Sequence, residues 1–252
     1  MFESSEKLST PFPRFVLTTA LALALVVSAL PVISADSPQG NVAGSASKAP
    51  EQPMSPAEIR LFMSEQLKNL PNRDAVLNYK FSKSGSYESG FEDKVTLQVS
   101  APDTKADGAR KVSTEFMTGE HKKEMPPVDN AHGNPVIMYF LERDVLEMKR
   151  ITGGSPNYYR KLIRLALVDA KEIKPVTVKW NGKDIKAEEI VIDPFKDDPA
   201  KARYTRFANK TYSFIVSDQV PGNVLSLKTV MREGSNTGKV MIEENLILSE
   251  NK

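Results

Sequence analysis

The sequence predicts an α+β domain, in which a curled antiparallel sheet (a half-barrel) of about 7–8 strands is covered by an N-terminal helix and a central helix pair. Three observations predict this fold. Segments that alternate apolar and polar residues recur before and after residues 134–170. Short turns join consecutive strands, which favours antiparallel pairing. Two adjoining helical patterns fill residues 134–170, and helices gathered in one insertion are expected to cover one face of a sheet.

The first 35 residues have the pattern of a secretory signal peptide. Lys7 and Arg14 precede an uncharged run of 16 residues, and cleavage is expected after Ala35. The alternative is an uncleaved N-terminal membrane anchor, although the run is shorter than the roughly 20 residues that span a bilayer. In either case the expected location is periplasmic or secreted.

A linker and a helix are expected next. Residues 36–54 are small, polar and proline-dotted, which is typical of a disordered tether. A single domain is expected over residues 55–252, and it begins with an amphipathic helix that runs to Leu70. Ser55 and Glu58 have the spacing of a capping box, which predicts where this helix starts.

Three strands are predicted within residues 75–119, where apolar and polar residues alternate. Residues 120–133 are predicted to be a loop that holds both histidines, His121 and His132. These histidines and the two acids between them could bind a metal, but they lack the spacing that places ligands on one rigid face. A solvated loop and no metal site are therefore expected.

The insertion at residues 134–170 carries the densest helical signal. Asn134 and Ser155 are capping residues, and each is followed by a proline suited to the first helical turn. Gly153, the first of two consecutive glycines, is predicted to end the first helix in a left-handed conformation. A short link of this kind favours an antiparallel helix pair.

About five strands are predicted after the insertion. The dipeptide Asn181-Gly182 is typical of a tight hairpin turn, and Pro221-Gly222 is typical of a type II turn. Residues 193–203 are predicted to be a charged loop. The acids of this loop lack the spacing of a calcium-binding loop.

Composition excludes several classes of function. The chain has 252 residues, of which 40% are hydrophobic and 26% charged, which is ordinary for a globular protein. A net charge of +2 is too balanced for a nucleic-acid partner. The lack of cysteine excludes disulfides, a cysteine nucleophile, zinc–thiolate sites and a lipid-modified cysteine. No nucleophile elbow or phosphate-binding loop is present, so neither an enzyme nor a cofactor is expected.

Two resemblances add to this interpretation. The order helix, strands, helical insertion, strands resembles that of the periplasmic lipoprotein carriers of the LolA/LolB-like group, from about Ser55 to Leu248. The string NPVIMYFLERDVLEMKRITGG, followed by YYRKLIRLAL, is similar to that of exported proteobacterial proteins of unknown function. The first resemblance covers element order alone, so no functional residue is carried over. It implies a half-barrel that holds acyl chains on its apolar concave face.

The leading hypothesis is a non-enzymatic exported domain that binds an apolar or amphipathic ligand, a lipid or lipoprotein, on the concave face of the sheet. Apolar residues of the two helical regions and of the later strands are the candidate lining. They are Phe62, Met63, Val136, Ile137, Met138, Tyr139, Phe140, Trp180, Tyr212 and Phe214. The alternative for each is ordinary core packing.

The helix pair also carries an excess of basic residues, which are candidates for contact with anionic lipid headgroups at a membrane surface. They are Arg143, Lys149, Arg150, Arg160, Lys161 and Arg164. A solvated helix surface is the other interpretation.

The runner-up function is a structural or assembly protein of the cell envelope with a filled core. An accessible cavity of ligand size separates the two functions. The sequence leaves the oligomeric state open.

Overall fold

A computed structural model describes residues 53–250. The predicted signal peptide and most of the predicted linker lie outside the described residues. Within residues 53–250, no helix combines the length and the apolar character needed to cross a membrane.

The described chain is built on one antiparallel sheet of ten strands, eight of them long. The strands are β1 (Ala75–Ser84), β2 (Phe91–Val99), β3 (Arg110–Phe116), β4 (Lys123–Glu124), β5 (Val128–Ala131), β6 (Lys174–Trp180), β7 (Lys183–Ile192), β8 (Lys210–Val216), β9 (Val224–Arg232) and β10 (Val240–Leu248). The predicted antiparallel sheet is confirmed, and the eight long strands agree with the predicted number.

The strand order explains why the helices cover a face of the sheet. The order is β4-β3-β2-β1-β10-β9-β8-β7-β6, with β5 also paired to β3, and the two ends are not joined into a barrel. The first and last strands therefore pair in the middle of the sheet. The helical insertion leaves from one edge and returns at the opposite edge, so it has to cross the sheet.

Two long helices make up the insertion, α2 (Val136–Thr152) and α3 (Pro156–Asp169). The side chain of Asn134 accepts a hydrogen bond of 3.2 Å from the N–H of Val136, which confirms the predicted start. Gly153 ends α2 with a φ of 72°, as its position predicts.

The N-terminal helix is shorter than predicted. The capping box at Ser55 and Glu58 is present, but α1 covers only Pro56–Glu58 and continues as a single π-helical turn, Ile59–Met63. We call α1 and this π-helical turn the N-terminal helical segment. The chain then becomes extended, and a 3-10 turn follows at Gln66–Asn69. The expectation of one helix to Leu70 was wrong.

Gln66 gives the physical reason for this break. Its side chain is fully buried, and its amide nitrogen donates to the carbonyls of Arg60 and Leu61 at 3.2 and 3.0 Å. Its amide oxygen accepts from the N–H of Asn134 at 2.7 Å. These contacts with the turn before and with the start of α2 replace the hydrogen bonds of a continued helix.

Two predicted loops contain regular structure. The histidine-bearing residues 120–133 include the short strands β4 and β5 on the outer side of β3. The charged residues 193–203 run into a 3-10 helix, Lys201–Phe207. Both segments are too short and too polar to show a periodic apolar pattern.

The predicted hairpin turn at Asn181-Gly182 is confirmed. Asn181 has a φ of 49° and Gly182 a φ of 71°, which are the two positive values that a type I′ turn requires. The turn fixes the register of β6 against β7, with Trp180 opposite Lys183. Gly222 likewise has a φ of 69°, as a type II turn after Pro221 requires.

Candidate functional site

The concave face of the sheet is filled. Tyr212 and Phe214 of β8 have no exposed surface, and Val136, Ile137 and Phe140 of α2 are at most 1% exposed. All five belong to one hydrophobic core. A side chain without exposed surface touches no space that admits a water molecule, so these five residues are core and line no cavity. The inner side of the first turns of α2 is apolar and packs against the sheet, whereas Met138 on the outer side stays exposed.

A buried ionic row continues this core beneath the second half of α2. Arg143 donates to Glu244 of β10 at 2.7 Å, and Lys83 of β1 donates to Glu147 at 2.5 Å. Burial alone would raise the pKa of the Glu147 carboxyl, but hydrogen bonds from Arg150 and Lys83 outweigh it and hold this pKa well below its ordinary value. The row fixes α2 to the sheet.

Open apolar space lies instead on the outer side of the helix layer, in what we call the helix groove. This groove has a volume of about 350 Å³ and lies between the N-terminal helical segment, α2 and α3. Six of its lining residues are apolar and four are charged. They are Glu58, Phe62, Met138, Leu141, Glu142, Val145, Arg160, Ile163, Arg164 and Leu167.

The spacing of these residues shows how the groove is built. On α2 the lining begins at Met138 and recurs three, four and seven residues later, and on α3 it begins at Arg160 and recurs in the same way. Residues with this spacing share one helix face. Each helix of the antiparallel pair therefore gives one stripe, and the two stripes form the floor and one wall.

The N-terminal helical segment forms the other wall. The hydroxyl of Ser55 donates at 2.7 Å to the carbonyl of Leu167 in the last turn of α3, which also accepts from the N–H of Ala170 at 3.1 Å. Arg60 holds the segment from the other side through Glu188 at 2.5 Å and Asp218 at 2.9 Å. Phe62 is thereby placed over the groove.

One ion pair closes across the helix pair at the edge of the groove. Arg160 of α3 donates two hydrogen bonds to Glu142 of α2, at 2.8 and 2.5 Å. The side-chain hydrogen bonds that Arg160 donates to Glu142 raise the pKa of the Arg160 guanidinium. A planar guanidinium matches both oxygens of a carboxylate, so this pair fixes the spacing of the two helices.

The other five predicted lining residues lie in different places. Phe62 and Met138 line the helix groove, and Met138 is 55% exposed. Met63 is 63% exposed beside them. Tyr139 is buried and donates from its hydroxyl to the carbonyl of Pro126 at 2.7 Å. Trp180 is half-buried on the edge strand β6, away from the groove.

The predicted basic surface needs one correction. Arg143 is buried, pairs with Glu244 and lies with its guanidinium carbon 4.6 Å from the centre of the Phe81 ring, so it is no surface residue. Its place on the inner face of α2 explains this. The other five are exposed, and Arg150 is paired with Glu88 at 2.6 Å.

The two histidines do not come together in a site. His121 stacks on Phe91 with 3.7 Å between ring centroids and lies 3.6 Å from Asp93, whereas His132 is exposed after β5. Over residues 53–250, no group of three or more histidine, aspartate or glutamate side chains is placed to hold a metal.

Sequence reasoning missed the groove because it assigned the apolar faces of α2 and α3 to the sheet. Leu141, Val145, Ile163 and Leu167 recur at helical spacing, and each is buried where the helices meet. The signal that was missed is Met138, which shares a helix face with Leu141 and Val145 and extends the apolar stripe to an exposed position. A helix that covers a sheet and also a second helix has apolar residues over more than one face.

Comparison with known proteins gives distant similarity only. No protein-family model and no curated protein matches the sequence. Among solved structures, the lipoprotein LppX of Mycobacterium tuberculosis is similar at 9% identity, over 77% of this chain and 92% of that chain, with a TM-score of 0.31. A LolA superfamily protein from Nitrosomonas europaea is similar at 8% identity, over 77% and 91%, with a TM-score of 0.19.

Proposed function

We propose that this protein is an exported, non-enzymatic binding domain that holds an apolar or amphipathic ligand, a lipid or the acyl part of a lipoprotein, in the helix groove. The observation that carries the proposal is the groove itself, with about 350 Å³ of space and six apolar lining residues. Ligand sites typically measure ~300–1,000 Å³ and are lined mainly by apolar side chains. The predicted location on the concave face is replaced, because that face is filled.

The apolar surface around the groove supports the same proposal. Ile59 is 51% exposed and Met63 is 63% exposed, and both lie on the N-terminal helical segment next to the lining residue Phe62. Met138 is 55% exposed within the groove. Several large apolar side chains exposed around one concave surface are typical of a binding site.

The chain start and the linker pattern support an exported location. A signal-like sequence would place the domain in the periplasm or outside the cell.

The proposal predicts that a charge placed in the groove weakens binding. We expect Met138→Glu to weaken uptake of a naphthylamine dye, whose fluorescence rises in apolar surroundings, by about tenfold, since about 1.4 kcal/mol of binding free energy is then lost. The matched control is Leu146→Glu on the same helix, because Leu146 is 43% exposed but does not line the groove. Each variant is produced from the full chain by export into a bacterial periplasm and then purified. Fluorescence titration gives the dissociation constant of the dye for each variant. Equal affinities in the two variants would contradict a site in this groove.

The filled core favours a second candidate, a structural or assembly protein of the cell envelope. In that case the exposed apolar residues contact another protein and the groove takes no small ligand. Native mass spectrometry of the protein purified from its envelope separates the two functions. If no lipid co-purifies and the unmodified chain takes up no dye, the binding function is wrong.

A further inference from the structure

We infer that the ligand of the helix groove is an amphiphile with an anionic headgroup, a phosphate or a carboxylate on an apolar chain, and that Arg164 binds this headgroup. The inference rests on the proposed binding function and adds the chemical class of the ligand. It starts from the four charged residues that line the groove, Glu58, Glu142, Arg160 and Arg164.

Three of these four charges already have partners. The carboxylate of Glu58 accepts a hydrogen bond of 2.9 Å from the N–H of Ser55 and completes the capping box. Glu142 and Arg160 neutralise each other through two hydrogen bonds, and the remaining nitrogen of Arg160 donates to Asn157 at 2.6 Å. None of these groups is available for a ligand without breaking a contact that shapes the groove.

Arg164 differs from the other three. Its side chain is exposed, and within residues 53–250 it takes part in no hydrogen bond or ion pair. The five N–H donors of its planar guanidinium therefore lie at the edge of an apolar space. Ile163 and Leu167 flank it in the lining, so an apolar chain and an anionic group would be bound side by side.

The surroundings of Arg164 also attract an anion. Arg160 lies four residues before Arg164 and Lys161 three residues before it, so all three stand on neighbouring positions of α3. Glu142 balances only Arg160. Like charges at this spacing repel each other, and a bound anion relieves that repulsion. The charges of the lining itself are balanced, Glu58 and Glu142 against Arg160 and Arg164, so selection of an anionic amphiphile rests on Arg164 and the adjacent Lys161.

The test compares dodecyl phosphate, dodecanoate, dodecyl maltoside and dodecyltrimethylammonium, which share one chain length and differ in the headgroup. Isothermal titration below the micelle concentration gives the dissociation constants for the full chain. We expect the two anionic ligands to bind about tenfold more tightly than the maltoside at low salt, because charge-assisted hydrogen bonds are stronger than neutral ones. The ratio of the two anionic ligands distinguishes a phosphate from a carboxylate headgroup.

The variants Arg164→Gln and Lys161→Gln form the matched pair. Each removes one positive charge from an exposed position of α3, but only Arg164 lines the groove. We expect Arg164→Gln to lose the preference for the anionic ligands and to keep its affinity for the maltoside. We expect Lys161→Gln to keep the preference.

The possible failures are distinct. Equal losses of the preference in the two variants would mean general attraction to a basic surface and would overturn the role of Arg164. Maltoside binding as tight as phosphate binding would overturn the anionic class, while the proposed binding function would stand. If none of the four ligands binds, the proposed function and this inference both fail.

Discussion

Asp144 and Lys210 show how single residues specify the position of α2 over the sheet. Their side chains form an ion pair, each is only 1% exposed, and the hydroxyl of Tyr212 donates to the same carboxylate at 2.5 Å. Asp144 lies four residues after Phe140 and four before Met148, so it shares the buried face of its helix, but its partner is not identifiable from that spacing. Such a pair depends on a strand 66 residues away, which local patterns do not report.

Breaking this pair is expected to destabilise the protein strongly. Asp144→Asn keeps the shape of the side chain but leaves Lys210 charged, buried and without its counter-charge. We expect a loss of about 3–5 kcal/mol in the free energy of unfolding, measured by urea denaturation. The control is Glu92→Gln in the pair with Lys80, whose side chains are 68% and 60% exposed, and its expected loss is within about 1 kcal/mol. A loss in Asp144→Asn as small as in the control would contradict burial of this pair.

The helix pair was the element best predicted from sequence. The helices begin and end within one residue of the predicted positions, although Ser155 makes no capping hydrogen bond with its side chain. Such boundaries are set by neighbouring residues. The N-terminal helix was predicted less well. Its capping box is local and was recognised, whereas its early end depends on Gln66 and its bond to the distant Asn134.

The end of α2 gives a prediction at this scale. Gly153 has a φ of 72°, and a Cβ atom added there would meet no other atom within 4 Å. We therefore expect Gly153→Ala to lower the free energy of unfolding by about 1 kcal/mol through backbone strain alone. Gly153→Asn is the control and should lose less, since asparagine tolerates this conformation better. Equal losses by thermal denaturation would argue against strain as the cause.

For the whole molecule, the sequence was sufficient to predict the fold class but not the filling of the concave face. Alternation along strands identifies which residues face inward, as in β8, where Tyr212, Phe214 and Val216 are all fully buried. It does not report how closely α2 approaches them. The groove was missed for the same reason, since its walls come from three segments whose relative positions depend on the complete sheet.

The ionic row beneath α2 makes the stability of the whole molecule depend on pH. The pKa of Glu147 is lower in the folded chain than its ordinary value of 4.5, so its stabilising effect is complete above that value and is lost as the pH falls towards the folded pKa. We expect the free energy of unfolding to decrease from about pH 5 downward. The loss should be smaller in Glu147→Gln, which has no carboxylate to protonate at this position. Chemical denaturation of the unmodified protein and of Glu147→Gln below about pH 5 tests this prediction. The same dependence on pH in the two proteins would contradict a role of Glu147.

The pairing of the first strand with the last has a consequence for the order of folding. Tyr79 lies opposite Leu248, so the centre of the sheet cannot form until nearly all of the chain is available. Contacts between residues so distant in sequence make folding slow, because a long loop must close first. If the chain crosses a membrane from its N-terminus, β1 remains unpaired on the side of β10 until β10 has crossed. The protein would then depend on holding chaperones during export. Pairing of β10, the last strand to cross, would complete the fold.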